Sequence, residues 1–356
     1  IFRIKQKEIR LRRMWKYFLR PLFFLFDPEL VHNFLIKCTK LLGGAYSPDM
    51  RFTSPLLEKK VFGINFPNPV GLAAGFDKNA EIVTSIRRLG GFGFTEIGTV
   101  TPRPQAGNPK KRIFRLTKDD ALINRLGFNN DGVDAIVKRL KNKKFKFYNT
   151  SLPIGANIGK NKSTPNSKAH EDYLECFKKL RSYVDYFAIN VSSPNTPELR
   201  NLQSSSFLKK ILKTLILENN KGKKKPILVK VSPDLSNNQL EDIVSILMEL
   251  RIDGIICSNT TVARNNLKSD NLKNETGGLS GKPLSKRSTE MVKLIKNQAG
   301  DKLPIVAVGG IMTPDDVIEK INAGASLVQI YTGWIYYGPT LVYDINKKLL
   351  KEFLKK

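Results

Sequence analysis

From residue 69 onward, short continuous apolar runs alternate with longer segments in which apolar residues recur at spacings of three and four. The runs cover 69–73, 92–97, 152–158, 186–191, 226–231, 254–258, 304–308 and 327–330. Leu240, Ile243, Val244, Ile246, Leu247 and Leu250 show the helical spacing between two of them. A run that is apolar throughout, rather than at every second residue, suits a strand covered on both faces. Eight β–α repeats of this kind predict a parallel sheet wrapped by helices, and that number favours closure into an α/β, TIM-type (β/α)8 barrel. A doubly wound open sheet is the alternative. In either arrangement, chemistry is expected where the strands end.

Polar residues gather at those ends. The first run opens into Ala74-Gly75-Phe76-Asp77-Lys78-Asn79 and the second into Gly98-Thr99-Val100-Thr101-Pro102-Arg103-Pro104. The third ends at Asn157, the fifth at Lys230, the sixth at Ser258-Asn259-Thr260-Thr261, the seventh at Gly309-Gly310 and the eighth at Tyr331-Thr332-Gly333. The fourth leads into Asn190-Val191-Ser192-Ser193-Pro194-Asn195-Thr196-Pro197. This last motif has the makings of a rigid platform for a planar, hydrogen-bonding ligand, although a proline-stiffened turn that caps the next helix would use the same residues.

Ahead of the repeats lie two amphipathic stretches. In the second, Asp27 is placed to cap a helix that begins at Pro28, and Val31, Phe34, Leu35, Cys38, Leu41 and Leu42 form one apolar face until Gly43-Gly44. The first, residues 15–26, is densely aromatic with interspersed basic side chains. Such a composition suits a helix lying in a membrane surface, or a hairpin packed over the barrel. Residues 1–13 precede Met14, which reads like an initiator. We therefore divide the chain into a basic extension, 1–13, for which disorder is one expectation; an amphipathic helical hairpin, 14–46; and a barrel, 47–356.

Composition narrows the picture. The 356 residues carry 60 Lys and Arg against 32 Asp and Glu, a formal charge of +28. An excess of this size predicts attraction to a polyanion such as an anionic membrane surface or nucleic acid. The lysines are scattered, however, as in Lys221-Gly222-Lys223-Lys224-Lys225, so solvated helix faces account for many of them. With three cysteines, Cys38, Cys176 and Cys257, and two histidines, His32 and His170, neither a disulfide framework nor a structural zinc site is expected, and no metal site is assigned. A reducing compartment fits this cysteine usage. No run reaches the roughly 20 apolar residues a membrane span needs.

The glycines after the last two strands, with Gly277-Gly278-Leu279-Ser280-Gly281 in the loop after the sixth, let backbone amides approach a phosphate. Lys230 at a strand mouth calls for an anion, such as the N1–O2 edge of a reduced flavin, or for an acid partner in Asp234 or Asp253. No dinucleotide fingerprint and no P-loop occur. Paired carboxylates of the glycosidase kind are also missing, since Asp77 is the only acid among the strand-end motifs.

Ala73 to Asn79, Gly98 to Gln105, Ile123-Asn124-Arg125-Leu126-Gly127-Phe128-Asn129, Asn190 to Pro197, Gly277 to Gly281 and Gly309-Gly310 closely resemble the dihydroorotate dehydrogenase family, in its quinone-dependent, membrane-associated class (class 2). The resemblance runs from about Met14 to about Leu350. It implies a bound FMN, held by Ala74, Gly75, Lys78, Thr99, Asn157, Asn190, Lys230, Ser258, Gly281, Gly310, Tyr331 and Thr332. It further implies dihydroorotate or orotate stacked on that ring, in contact with Lys78, Asn124, Arg125, Leu126, Gly127, Phe128, Asn190, Asn195, Asn259 and Thr260.

Ser193 matches the family's catalytic base, and Thr196 and Phe128 match positions flanking a proton relay. The cytosolic class has cysteine where Ser193 stands. The activity implied is oxidation of (S)-dihydroorotate to orotate, with a membrane quinone as acceptor, in de novo pyrimidine (UMP) biosynthesis. The implied setting is the cytoplasmic face of a bacterial inner membrane, with the N-terminal hairpin forming a quinone tunnel to which His32 and Arg115 belong. An ordinary surface role remains the alternative for His32. One departure is Glu198, where the family usually has glycine. A flavin-dependent tRNA dihydrouridine synthase is the competing reading suggested by the charge; it would normally carry a cysteine in place of Ser193 and a C-terminal helical domain, so no nucleic-acid partner is expected.

Overall fold

The computed structural model describes residues 9–42, 52, 54–142, 152–269 and 271–355. Helical backbone covers 9–24, π-helical over Trp15–Leu19 and α-helical over Arg20–Phe24 (α1). The second helix, Pro28–Leu42 (α2), starts as the sequence predicts: Asp27 Oδ1 accepts the N–H groups of Glu29 at 2.9 Å and Leu30 at 3.0 Å. The expected stop at Gly43-Gly44 lies outside the described residues.

All eight anticipated strands form. Val70–Leu72 (β3), Phe94–Val100 (β4), Ile154–Ile158 (β7), Tyr186–Asn190 (β8), Ile227–Val231 (β9), Gly254–Cys257 (β10), Ile305–Val308 (β12) and Leu327–Ile330 (β13) close into a barrel, every neighbouring pair parallel. Closure removes the open-sheet alternative. Outer residues such as Ile97, Ile158, Ile189, Val229 and Val328 join the surrounding helices in one large core.

A smaller apolar cluster fills the barrel: Phe66, Phe94, Tyr186, Leu228, Ile256, Val306 and Leu327 belong to it. Phe66 arrives from an antiparallel hairpin, Lys59–Val61 (β1) with Ile64–Phe66 (β2), and meets Phe94 edge-on at 5.2 Å. Gly155 makes room for Tyr186, whose ring would stand 2.1 Å from a Cβ built there.

A second antiparallel sheet pairs Ile113–Leu116 (β5), Ala121–Asn124 (β6) and Gly278–Gly281 (β11). This corrects the reading of 277–281 as a loop. Its backbone pairs with β6 residue for residue from Asn124 to Ala121, a partnership set by tertiary contact that two isolated glycines in sequence do not announce.

Candidate active site

The strand ends and the β5–β6–β11 sheet enclose one polar cavity. Ala74, Gly75, Lys78, Thr99, Asn190, Lys230, Ser258, Gly281, Gly310, Tyr331 and Thr332 all border it. So do Asn124, Leu126, Gly127, Phe128, Ser193, Asn195, Asn259 and Thr260. Two other expected residues stand behind the wall. Asn157 is fully buried, and the Arg125 guanidinium turns away to Glu275 at 2.5 Å and lies over the Phe114 ring at 4.5 Å.

Several strand ends position their side chains through a buried network. Asn157 Oδ1 accepts the Thr99 hydroxyl at 2.6 Å and Asn190 Nδ2 at 3.0 Å. Asn190 Oδ1 in turn accepts Asn259 Nδ2 at 3.3 Å and the N–H of Ser192 at 3.2 Å. In the following loop the Asn195 N–H donates to Ser193 Oγ at 3.2 Å, and Asn195 Nδ2 donates to Asn124 Oδ1 at 3.1 Å. Ser193 is thus buried and hydrogen-bonded, and Asn195 ties its loop to the opposite wall. Thr196 is buried in the same loop, with a hydroxyl that has no protein partner.

Two lysines supply charge. Burial pushes Lys78 down to about 8, an effect opposed by the Glu29 carboxylate. Burial also lowers Lys230, with Glu96 opposing. Neither acid suggested as a partner for Lys230 reaches it: Asp234 pairs with Arg200 at 2.8 Å, and Asp253 accepts the Ile227 N–H at 2.8 Å. Asp77 is spent on structure. It accepts the N–H groups of Glu81 and Ile82, and burial raises it to about 6.

At the far side, Gly309 (φ +110°) and Gly310 (φ +75°) turn the chain against the start of the helix Ser285–Ala299. A Cβ on Gly310 would come within 2.4 Å of the Ser285 nitrogen, so only glycine permits this approach.

Asn129, Ser280, Met312 and Gln329 also border the cavity, and Glu96 lies beneath it. Sequence reasoning passed over Gln329 and Glu96. The signal was there: each is a polar side chain inside a run predicted to be covered on both faces, a placement that demands a buried partner.

A second, apolar cavity of about 940 Å³ lies between the hairpin and the barrel. Val31, Leu35, Cys38, Phe76, His32 and Arg115 are among its walls, and Tyr331 borders both cavities. The apolar face of α2 therefore turns to this cavity and to the outside, not to the barrel core; Phe34 is 54% and Leu41 83% exposed. His32 packs edge-on against Phe76 at 5.0 Å, and burial, with the nearby charge of Lys78, lowers it to about 3. Arg115 donates to the carbonyls of Phe24 and Phe26 at 3.2 and 2.7 Å. Glu29 of α2 holds Arg112 through both carboxylate oxygens, at 2.7 and 2.9 Å, with both side chains buried.

Residues 56–354 match the family model described as dihydroorotate dehydrogenase. The chain is 53% identical to the dihydroorotate dehydrogenase (quinone) of Christiangramia forsetii over 348 residues, covering 96% of this chain and 100% of that relative. It is 47% identical to the enzyme of the same name from Thermosynechococcus vestitus, covering 94% and 96%. Among solved structures it is similar to DHODH from Eimeria tenella in complex with ferulenol, with a TM-score of 0.87, 40% identity and 92% of each chain covered.

Proposed function

The chain belongs to the dihydroorotate dehydrogenase family, and from that membership and the site geometry we propose that it oxidises (S)-dihydroorotate to orotate, with FMN in the polar cavity and a membrane quinone as acceptor, in de novo pyrimidine synthesis. One observation carries this reading: the polar cavity and the apolar cavity lie back to back, with Tyr331 as their common wall. A polar reductant and a lipid-soluble oxidant then have separate entrances to one centre.

The residues present fit FMN. Gln329 Oε1 and Asn129 Oδ1 are buried without partners on the cavity wall, ready to accept ring N–H groups. Lys230 makes no hydrogen bond or ion pair among the described residues and waits on an anionic edge. The Gly309–Gly310 turn brings backbone close to a helix start, where a phosphate is favoured. When bound, FMN supplies an acceptor for the hydride leaving substrate C6 and a donor of electrons to the quinone.

The chain does the rest. Lys78 offsets the substrate carboxylate, while Asn124, Asn195, Asn259 and Thr260 present amide and hydroxyl groups to the pyrimidine edges. Ser193 Oγ removes the C5 proton, and the Asn195 N–H fixes the orientation of that hydroxyl. No acid or imidazole is bonded to Ser193 among the described residues. Its proton must therefore move on to water or a hydroxyl, and the unpartnered Thr196 hydroxyl is the candidate.

On the other side, the helices within residues 14–42 rest on the cytoplasmic face of a bacterial inner membrane. Phe18 (71%) and Leu25 (80%) are exposed with Tyr17, Leu22, Phe26 and Leu30, and Lys16, Arg20 and Lys37 supply charge for anionic lipid. No helix among the described residues is long and apolar enough to cross a membrane.

The deciding measurement is a visible absorption spectrum of the purified protein before and after anaerobic addition of dihydroorotate. A flavin spectrum that bleaches is expected. Colourless folded protein, or a yellow one that dihydroorotate leaves unchanged, would overturn the reading.

A further inference from the structure

Inside the barrel, one layer above Phe66 and Phe94, sits a fully buried acid, Glu96. Three groups donate to it: Asn157 Nδ2 to Oε1 at 2.9 Å, Gln329 Nε2 to Oε2 at 2.7 Å and the Tyr186 hydroxyl to Oε2 at 3.2 Å. Among the described residues both amides and the hydroxyl are placed as donors to it, so its two oxygens serve as acceptors. A charge in this position is expensive, and an apolar side chain packed into the same space would often serve stability as well or better. Barrel packing alone does not account for it.

What the carboxylate does account for is the direction of every amide above it. Because it only accepts, Asn157 and Gln329 must both turn NH2 groups down. Asn157 Oδ1 then faces up, to accept Thr99 and Asn190, and Asn190 Oδ1 is left to accept Ser192 and Asn259 beside the catalytic serine. Gln329 Oε1 likewise points away from Glu96, buried, on the cavity wall and without a partner.

We propose that Glu96 is a positioning residue of the flavin site: it sets the donor–acceptor polarity of Asn157, Asn190 and Gln329, and thereby makes Gln329 Oε1 an acceptor for a flavin ring N–H. The proposal rests on FMN occupying the polar cavity. Glu96 touches neither substrate nor ring; it acts through the amides. Glu96→Gln keeps the shape but forces an NH2 group against one of the three donors, so at least one amide must flip.

The test compares wild-type holoprotein with Glu96→Gln, and measures FMN rebinding to apoprotein by quenching of flavin fluorescence together with the midpoint potential of the bound flavin. We expect the dissociation constant to rise by about tenfold or more. The potential should also shift upward, because Lys230 is no longer opposed when negative charge gathers on the reduced ring. Should Glu96→Gln fail to fold, Gln329→Met removes only the free acceptor and one donor, and FMN affinity should fall by about threefold or more with the barrel intact. A folded Glu96→Gln protein with wild-type affinity and potential overturns the proposal, as does a Gln329→Met protein with wild-type affinity. Wild-type protein that binds no FMN overturns instead the reading on which it rests.

Discussion

The polar cavity and the hairpin seam are built by opposite means. In the cavity, side chains come from the ends of different strands, and a continuous set of hydrogen bonds joins Glu96, Asn157, Thr99, Asn190 and Asn259. The seam is mostly aromatic and aliphatic wall around open space, fastened at a few points. These are the Glu29–Arg112 pair, Arg115 on the carbonyls of Phe24 and Phe26, and the Trp15 indole on the Tyr336 carbonyl at 3.1 Å. A site for a fixed ring gains from many mutual constraints, whereas an opening for a long apolar molecule needs walls that hold together without filling the middle.

The largest expected effect breaks the comparison on the cavity side alone. Ser193→Ala should slow flavin reduction by dihydroorotate by about 10²-fold or more in stopped-flow absorbance, while reoxidation by a quinone analogue keeps its rate. Loss of both half-reactions together would show that the two cavities are not separable.

Next comes the buried ion pair of the seam, Glu29 with Arg112. Glu29→Gln leaves Arg112 as a buried cation with a neutral partner, and destabilisation by about 3 kcal/mol is expected. The damage should not stay in the hairpin. Arg112 also braces the carbonyls of Ala106 and Asn108, and Asn108 Nδ2 donates to the carbonyls of Arg125 and Asn195. Hydrogen exchange should therefore quicken first in the two N-terminal helices and then in the Ser193 loop. Uniform quickening across the barrel strands would contradict the local character of the seam.

How much of each region the sequence reveals follows the same division. The eight barrel strands are legible because each is a continuous apolar run, and most of the site is legible because its residues follow those runs directly. Glu96 and Gln329 escape because they lie within strands, where only a partner on another strand explains them. The β5–β6–β11 sheet escapes because its strands are four residues each and Gly278–Gly281 looks like loop chemistry. In the seam, the apolar positions of the second helix are plain in the sequence, but whether they pack on the barrel or leave a cavity is not, since either use needs the same residues.

Acid and base separate the two regions again, with smaller effects. His32 is held neutral in the fold, near 3 against 6.5 for the free side chain. Below about pH 6.5 the unfolded chain binds a proton that the folded seam refuses, so stability falls as pH drops from about 6.5 toward 3. Loosening of the hairpin, read by Trp15 fluorescence, should begin in that window and be absent in His32→Phe. Lys78, lowered from 10.5 to about 8, acts with the same sign in a higher pH window. Its burial weighs against the folded chain below about pH 8, and that penalty is relieved as pH rises toward 10.5, so alkali removes a cost to stability while it removes the charge. Orotate affinity should accordingly weaken above about pH 8 in a titration monitored by flavin absorbance, with no matching change in affinity for a quinone analogue.

The smallest effect tests whether the cavity side carries strain of its own. Glu198 sits just past the Ser193 motif in left-handed backbone, φ +54°, with an exposed side chain. That conformation is held by its carbonyl, which accepts Asn166 Nδ2 at 3.0 Å and the Asn201 N–H at 3.0 Å. A side chain in this region costs roughly 1 kcal/mol, which glycine avoids, although glycine gives back part of the gain as chain entropy. Glu198→Gly should thus raise stability by up to about 1 kcal/mol in urea unfolding and leave flavin reduction within about twofold of wild type. Burial lowers Lys160, which donates to the Thr164 carbonyl at 2.9 Å next to the loop, and the carboxylates of Asp172 and Glu198 oppose that lowering. A loss of stability on Glu198→Gly would mean that this charge outweighs the strain, and that the loop owes its position to a surface acid as well as to its buried network.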